Sequence, residues 1–392
     1  MRLSKRAEVL QESAIRKLDL VCAKFSDVHY HRVNIGQPDV ATPGPLLEAI
    51  RGFQPDVISY GPASGLPACR EAAAAYHARW CSALTAEHVA VTTGGSEALL
   101  FAFTALCDPG DEILVPEPFY TNYNGFATVA GARVRGIPTS LDNGFALPDN
   151  DTLDRLVSPT TRAIVFSNPG NPTGAVMSAP EVARIANWAA SRGIFCIADE
   201  VYRRIWFDES PTSALEIESA KDAVIVIDSM SKTYSACGLR LGFLISRNAQ
   251  LMEKVERLGQ ARLGPQPLAQ HVAMAGLALD DAYYADIRDV YRSRVSALYD
   301  ALMGIPGVKT HRPEGAFYLM AELPIDDADR FARWLVTDFR REGQSLVVAP
   351  GTGFYTQPEL GRRQVRLAAV LEEPILRQVG ALLTEAVATY PQ

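Results

Sequence analysis

Short apolar runs and helix-period stretches alternate through the middle of this chain, and that alternation restricts its fold more than any other feature. Runs rich in Val, Ile and Ala at 88–91, 112–115, 132–137, 162–167, 193–198, 223–228 and 239–245 read as buried strands. Stretches at 66–80, 97–106, 120–130 and 181–192 carry apolar residues at helical spacing, several behind a Ser, Thr or Pro start signal. Strands separated by helices pair in parallel through right-handed crossovers, which predicts an open α/β sheet covered on both faces.

The pattern changes after residue 280. A long helix at 281–303, a strand at 316–322, a helix at 327–342, short strands near Leu346 and Val365 and a last helix from Pro374 predict a smaller α+β unit. Residues 1–45 read as a helix followed by an extended NIGQPDVATP segment that packs on the same small unit. The expected organisation is therefore 1–45 as an N-terminal segment, 46–280 as a large domain and 281–392 as a small C-terminal domain. A length of 392 residues suits two cores, because single cores rarely grow past about 250–300 residues.

Composition narrows the partners. The 38 Lys and Arg residues against 45 Asp and Glu leave a net charge of -7 with no basic run, which argues against gripping nucleic acid phosphates. The longest apolar run, 98–107, is about half of what a membrane-spanning helix needs and reads as a core helix. The N-terminal MRLSKRAEVLQESAIRKLDL mixes both charge signs and lacks a secretory pattern, so a cytoplasmic protein without membrane partners is expected. Six scattered cysteines form no CxxC, and the lone His29–His31 pair has no Cys or carboxylate cluster beside it, so neither a disulfide framework nor a metal site is expected.

In an open α/β sheet, ligands sit beyond the carboxyl ends of the strands. The unusual residues gather there: Thr93-Gly94-Gly95-Ser96-Glu97 after the first strand, Asn168-Pro169-Gly170-Asn171-Pro172-Thr173-Gly174 after the fourth, Asp199-Glu200-Val201-Tyr202 after the fifth and Ser229-Met230-Ser231-Lys232 after the sixth. Two glycines and a serine where a strand hands over to a helix aim free N–H groups and the positive helix end at one point, an anion site. Ordinary tight turns use the same residues, and neither the P-loop nor the GxGxxG fingerprint is matched, so ATP and NAD are not suggested. Asp199 closes an apolar strand, where an ionised carboxylate needs a donor or cation. Its plain reading is a helix cap. Lys232 follows another apolar run, a setting that suits Schiff-base chemistry, although most lysines do nothing of the kind.

In combination, NPTG, ADEVY, SMSKTYSACGLRLG and an arginine in the last strand carry a resemblance from about residue 30 to the C-terminus. The chain resembles the pyridoxal-phosphate-dependent aminotransferases of class I/II, the aspartate aminotransferase superfamily. That resemblance implies a fold type I transferase: an α/β large domain with a mostly parallel sheet covered by helices, plus a smaller α+β domain. It also implies pyridoxal 5'-phosphate as cofactor, and amino acid and 2-oxo acid substrates.

Carried over by position, the resemblance makes Lys232 the lysine that captures the aldehyde and later moves the proton at the substrate Cα. Asp199 becomes the partner of the pyridine nitrogen, where a carboxylate keeps the ring cationic and able to accept electrons. Asn171 and Tyr202 correspond to donors to the phenolic oxygen, and Tyr120 to the aromatic that stacks on the ring, with Phe119 a close competitor. The implied phosphate cup comprises the backbone N–H groups of Gly95, Ser96 and Glu97, the hydroxyls of Ser96, Ser229 and Ser231, and Arg240. Tyr60 matches a tyrosine that reaches the phosphate from the neighbouring subunit, which implies a homodimer with shared sites. Arg366 resembles the arginine that binds the substrate α-carboxylate, and Gly36 offers backbone contact to the same group.

Two other classes compete. Ser229-Met230-Ser231-Lys232 is literally S-x-x-K, the nucleophile motif of penicillin-binding proteins, but the SDN and KTG elements do not occur. A regulator that keeps the fold as a sensor behind a DNA-binding domain would need more than the roughly 30 residues that precede the similar region. Within the cofactor class the same residues support transamination, β/γ-elimination, decarboxylation, racemisation and oxidation, and transamination is the expectation. For a second substrate carboxylate, Arg262 is the first-ranked cation among Arg262, Arg203, Arg204 and Arg32, most of which read as solvated surface charges, and the FYTNY and FYTQ segments could equally line an aromatic pocket.

Overall fold

The computed structural model describes residues 2–10 and 14–391. Its strands, in chain order, are β1 (His29–Arg32), β2 (Val89–Thr92), β3 (Glu112–Pro116), β4 (Arg133–Ile137), β5 (Thr161–Ser167), β6 (Phe195–Asp199), β7 (Val224–Ser229), β8 (Gly242–Ile245), β9 (Lys309–Thr310), β10 (Tyr318–Glu322), β11 (Gln344–Val347), β12 (Ala349–Pro350) and β13 (Gln364–Ala368). A seven-stranded sheet has the order β2-β8-β7-β6-β5-β3-β4. Helices Gly94–Leu106, Asn122–Ala130, Asn150–Leu156 and Ala179–Ser191 carry the chain between successive strands, and β3 pairs in parallel with both β4 and β5, as β6 does with β5 and β7. The sheet runs outward in two directions from the β3/β5 boundary. Such a reversal opens a crevice at the strand carboxyl ends.

Strand alternation sorts the side chains into two layers. Leu114, Ile164, Cys196, Val226 and Phe243 face one core with Ile185, Trp188 and Val272. Ile113, Val165, Ile197, Ile227 and Leu244 face the other, against Leu99, Phe103 and Val255. A third core joins Leu319, Phe331, Leu346, Leu367 and Val379 to Leu18, Cys22 and Val33 from the N-terminal segment. There β1 pairs in parallel with β11, and β10 pairs antiparallel with β13. All six cysteines are free thiols. Among the described residues, no helix is long and apolar enough to cross a membrane.

The sheet departs from the expectation of parallel pairing at β8, which lies antiparallel to both β2 and β7. Only a single helical turn, Cys237–Leu239, separates β7 from β8, too short for a parallel crossover, so the chain turns back through the loop that carries Lys232. That strand is also shorter than expected. Leu239 belongs to a single helical turn, and Arg240 adopts a left-handed φ of 50°. The helix expected over 327–342 stops at Thr337, where Asp338 leaves helical geometry and Glu342 and Gly343 take positive φ.

Candidate active site

Asp199 ends β6 fully inside the protein. The Tyr123 hydroxyl, on helix Asn122–Ala130, donates to its Oδ2 at 2.8 Å, whereas its Oδ1 is equally buried and makes no hydrogen bond. Burial pushes the carboxyl up to about 6, against the opposing effects of the Tyr123 hydroxyl and the Val201 backbone. Tyr123 itself is held well above the usual phenol range by burial and by the carboxylate it touches, so it remains a donor. Tyr120 packs edge-on to Tyr123 with ring centroids 5.4 Å apart, and burial beside Tyr318 and Asp199 raises it to about 12. Phe119 instead sits wholly in the core, so of the two neighbouring aromatics Tyr120 is the one at the site.

Lys232 lies in the loop after β7, and its Nζ donates to the Gly36 carbonyl at 2.7 Å. This bond ties the extended N-terminal segment to the loop across 196 residues of sequence. Tyr202 is buried, with its hydroxyl 2.8 Å from that of Tyr318 on β10, and burial holds it well above the usual phenol range. Arg366 on β13 is buried as well. Its Nη1 donates to Asn171 Oδ1 at 3.1 Å and its Nη2 to the Asn34 carbonyl at 2.6 Å, while Nε is left without a partner. The guanidinium carbon sits 4.6 Å from the Tyr318 ring centre and 5.1 Å from that of Phe354. Only neutral groups face this cation within hydrogen-bond reach. A planar anion with two oxygens is the complementary ligand for such a guanidinium.

The strand-to-helix turn at Gly94 forms the other wall. Gly94 has a φ of 79°, and a Cβ placed on it would lie 2.6 Å from Arg240 Nη2. Only glycine permits both the left-handed backbone and the close guanidinium. Helix Gly94–Leu106 starts without a side-chain cap at Thr93, so the first-turn N–H groups of Gly95 and Ser96 have no partner inside the helix at its positive end, whereas the Glu97 N–H falls on the first intrahelical bond. Ser229 Oγ donates to Ser231 Oγ at 2.9 Å, and Arg240 Nη1 donates to the Cys237 carbonyl at 3.0 Å. Hydroxyls, a guanidinium and a helix N-terminus thus converge at the carboxyl ends of β2 and β7.

Tyr60, expected to reach the site of a neighbouring subunit, faces outward in this protomer, and Arg262 is already occupied. Tyr60 is 85% exposed beside Val57 and Ile58, each 72% exposed, on a segment that a single protomer leaves uncovered. Arg262 forms an ion pair with Glu97 and donates to the Ala63 carbonyl at 2.9 Å, which corrects its ranking as a free cation for a second substrate carboxylate. The other three are also taken: Arg203 by Glu200 at 2.9 Å, Arg204 by Asp281 at 2.8 Å and Arg32 by Asp19. Tyr123, at the end of the FYTNY segment, and Tyr318 join the site without an individual role having been expected for either. The only signal for either lies in their aromatic-rich surroundings, FYTNY and GAFY, and nothing local distinguishes them from core residues.

Comparison with known proteins agrees with this geometry. The family model described as aminotransferase class I and II matches residues 31–380. An aspartate aminotransferase of Pyrococcus horikoshii is 30% identical over 375 residues, covering 93% of this chain and 92% of the relative. An LL-diaminopimelate aminotransferase of Desulforudis audaxviator is 32% identical over 360 residues, covering 90% of this chain and 89% of its own. Among solved structures, an alanine aminotransferase from Pyrococcus furiosus superposes with a TM-score of 0.90 at 30% identity, covering 99% of this chain and 100% of the other. A mutant aspartate aminotransferase of Thermus thermophilus gives the same TM-score at 28% identity over 98% of this chain and 100% of its own. By its family model, its relatives and its superposed structures, the chain belongs to the aminotransferase class I and II family and is an enzyme of amino group transfer on the fold type I scaffold.

Proposed function

We propose that this aminotransferase holds pyridoxal 5'-phosphate in the crevice at the carboxyl ends of β2, β5, β6 and β7, and moves an amino group between an L-amino acid and a 2-oxo acid. The observation that carries this reading is the Asp199 carboxylate, buried at a strand end with one oxygen accepting from Tyr123 and the other unpartnered. A buried carboxylate without a cation is costly, and a protonated ring nitrogen supplies that cation. The donor-rich turn at Gly94, Ser96, Ser229, Ser231 and Arg240 suits a dianionic phosphate, and the Gly94 cradle would be filled by any Cβ. The residues present therefore fit the cofactor.

Bound there, the cofactor supplies an aldehyde that condenses with amines and a ring that accepts electrons from the substrate Cα. Every other task falls to the chain. Lys232 provides the amine for covalent capture and then carries the proton at the substrate Cα as general base and acid. Asp199, kept in place by Tyr123, holds the proton on the ring nitrogen. With its amide oxygen taken by Arg366, Asn171 would have its NH2 left to donate to the phenolic oxygen of the bound cofactor, as would the Tyr202 hydroxyl. Tyr120 covers one ring face. Arg366 orients the substrate carboxylate through its free Nε and an Nη group, with the Gly36 backbone beside it. We further propose that residues 1–45 and 281–392 form the small domain around the large domain 46–280, and that the chain works as a homodimer in which Tyr60 reaches the partner's phosphate site.

Reconstituting the apoprotein with pyridoxal 5'-phosphate tests the reading. A visible absorbance band that amino acids bleach in a single turnover, with a pyridoxamine form as product, is the expected result. Lys232→Ala should still bind pyridoxamine 5'-phosphate while losing the band and the activity. Failure of a broad amino acid panel to yield any pyridoxamine form would contradict it.

A further inference from the structure

Tyr318 is the residue of this site that no motif announced, and its contacts place it at the junction of three functional elements. The β10–β13 register pairs Tyr318 with Ala368 and Met320 with Arg366, so Tyr318 and Arg366 lie diagonally on one face of adjacent strands. That register explains why the Arg366 guanidinium rests 4.6 Å from the Tyr318 ring centre. At its other end the Tyr318 hydroxyl lies 2.8 Å from the Tyr202 hydroxyl, with the two rings edge-to-face at 5.5 Å. A Cβ built on Gly36 would come within 1.7 Å of the same hydroxyl oxygen, so the glycine leaves the room that the phenol occupies.

Each phenol carries one proton, and that arithmetic sets a direction. Tyr202 can use its single O–H either toward Tyr318 or toward the cofactor's phenolic oxygen. If it serves the cofactor, the 2.8 Å contact must be filled by the Tyr318 proton, with the Tyr202 oxygen accepting. We infer that Tyr318 is a positioning residue whose hydroxyl donates to Tyr202, orienting the Tyr202 proton toward the cofactor's phenolic oxygen and strengthening it as a donor. This rests on the proposed role of Tyr202. Hydrogen bonds in series polarise one another, and a donor that itself accepts is the stronger donor. The nearby Arg366 cation favours the same polarity, because it draws electron density from the Tyr318 ring.

The consequence is readable in the proton shared between the phenolic oxygen and the Lys232 nitrogen of the loaded enzyme. A stronger donor at that oxygen withdraws its negative charge, so the shared proton is released at lower pH. The experiment is a pH titration of the cofactor absorbance in the holoenzyme and in Tyr318→Phe, Tyr202→Phe and the double variant. Tyr318→Phe keeps the ring against Arg366 and removes only the hydroxyl. The expected result is an upward shift in Tyr202→Phe and a smaller upward shift in Tyr318→Phe, on the scale of the roughly 10–30% strengthening that one added bond confers. In the Tyr202→Phe background the second substitution should add nothing, as a double-variant cycle requires of a residue that acts through its neighbour.

No shift in Tyr318→Phe overturns the inference, and a downward shift shows the opposite polarity, with Tyr202 donating to Tyr318. A shift that persists in the Tyr202→Phe background places the action of Tyr318 elsewhere and overturns it equally. If Tyr202→Phe itself leaves the titration unmoved, the proposed role of Tyr202 has failed, a result distinct from failure of the Tyr318 step alone.

Discussion

Asp199 and Glu200 are neighbours in sequence and equally buried, yet they are solved in opposite ways. Glu200 pairs with Arg203 at 2.9 Å and accepts from the Ser213 hydroxyl and the Ala214 N–H, so both of its oxygens are used within the fold. Asp199 has one side-chain donor, Tyr123, besides the nearby Val201 backbone, and, among the described residues, no cation paired with it within the fold. Two of the buried arginines divide along the same line. Arg203 meets Glu200 and stacks 3.9 Å from the Trp80 ring centre, whereas Arg366 meets only neutral oxygens. A buried charge closed by the protein serves stability, and one left open marks where a ligand supplies the counter-charge.

The largest expected effect separates the two carboxylates directly. Asp199→Asn should lower kcat/KM by about 10²–10³-fold or more, because the ring nitrogen loses the charge that holds its proton. Glu200→Gln should instead cost about 3–5 kcal/mol of folding stability by stranding Arg203, with activity per folded molecule largely kept. Urea unfolding and steady-state kinetics on both variants check the pair, and a reversed pattern would break the distinction.

The same contrast has a pH signature in the cofactor-free protein. With its carboxyl raised to about 6, folded Asp199 keeps a proton that the unfolded chain has released, so stability falls as pH rises from about 4 to about 6. At about 1.4 kcal/mol per pH unit, the loss approaches 3 kcal/mol and is complete above that window. Asp199→Asn should abolish this slope, making the apoprotein more stable than the parent at pH 7.5 although less active when loaded. Melting curves of both apoproteins across pH 4–8 give the answer.

A smaller effect is expected at the open arginine. Arg366→Lys keeps the charge but loses the planar fork, and should raise KM for the amino acid by roughly 10–100-fold with little change in melting temperature. The least effect sharpens the picture of Asp199. Tyr123→Phe removes one hydrogen bond to a charged group, about 1.5 kcal/mol at the lower end of the usual range because the carboxylate keeps its ring-nitrogen partner, and should weaken cofactor affinity about tenfold. Fluorescence titration with pyridoxamine 5'-phosphate measures it.

How far the chain can be read from its residues alone follows from the range of the interactions. The strands, their order of appearance and the residues at their carboxyl ends depend on local period and punctuation, so the strand-end positions of Lys232, Asp199 and Asn171 are legible in the sequence, whereas their roles come only from the resemblance. The antiparallel β8 does not, because its direction depends on which edge the chain reaches after the Lys232 loop. Tyr123 and Tyr318 look like core aromatics, since their partners lie 76 and 116 residues away. The fate of Arg262 is equally hidden, being set by Glu97 at a separation of 165 residues. Asp199 and Glu200 sit side by side in ADEVY, and the placement of Arg203, Ser213 and Tyr123 accounts for one being closed within the fold and the other left open.

Every role assigned above depends on Lys232 being the amine that captures the cofactor aldehyde. Borohydride reduction of the loaded enzyme, followed by proteolysis and mass spectrometry, reads that bond at the residue level. The expected outcome is a single pyridoxyl-modified peptide with the label on Lys232. Stoichiometric labelling of another lysine, or an unlabelled Lys232 in protein whose visible band has been reduced, would refute it.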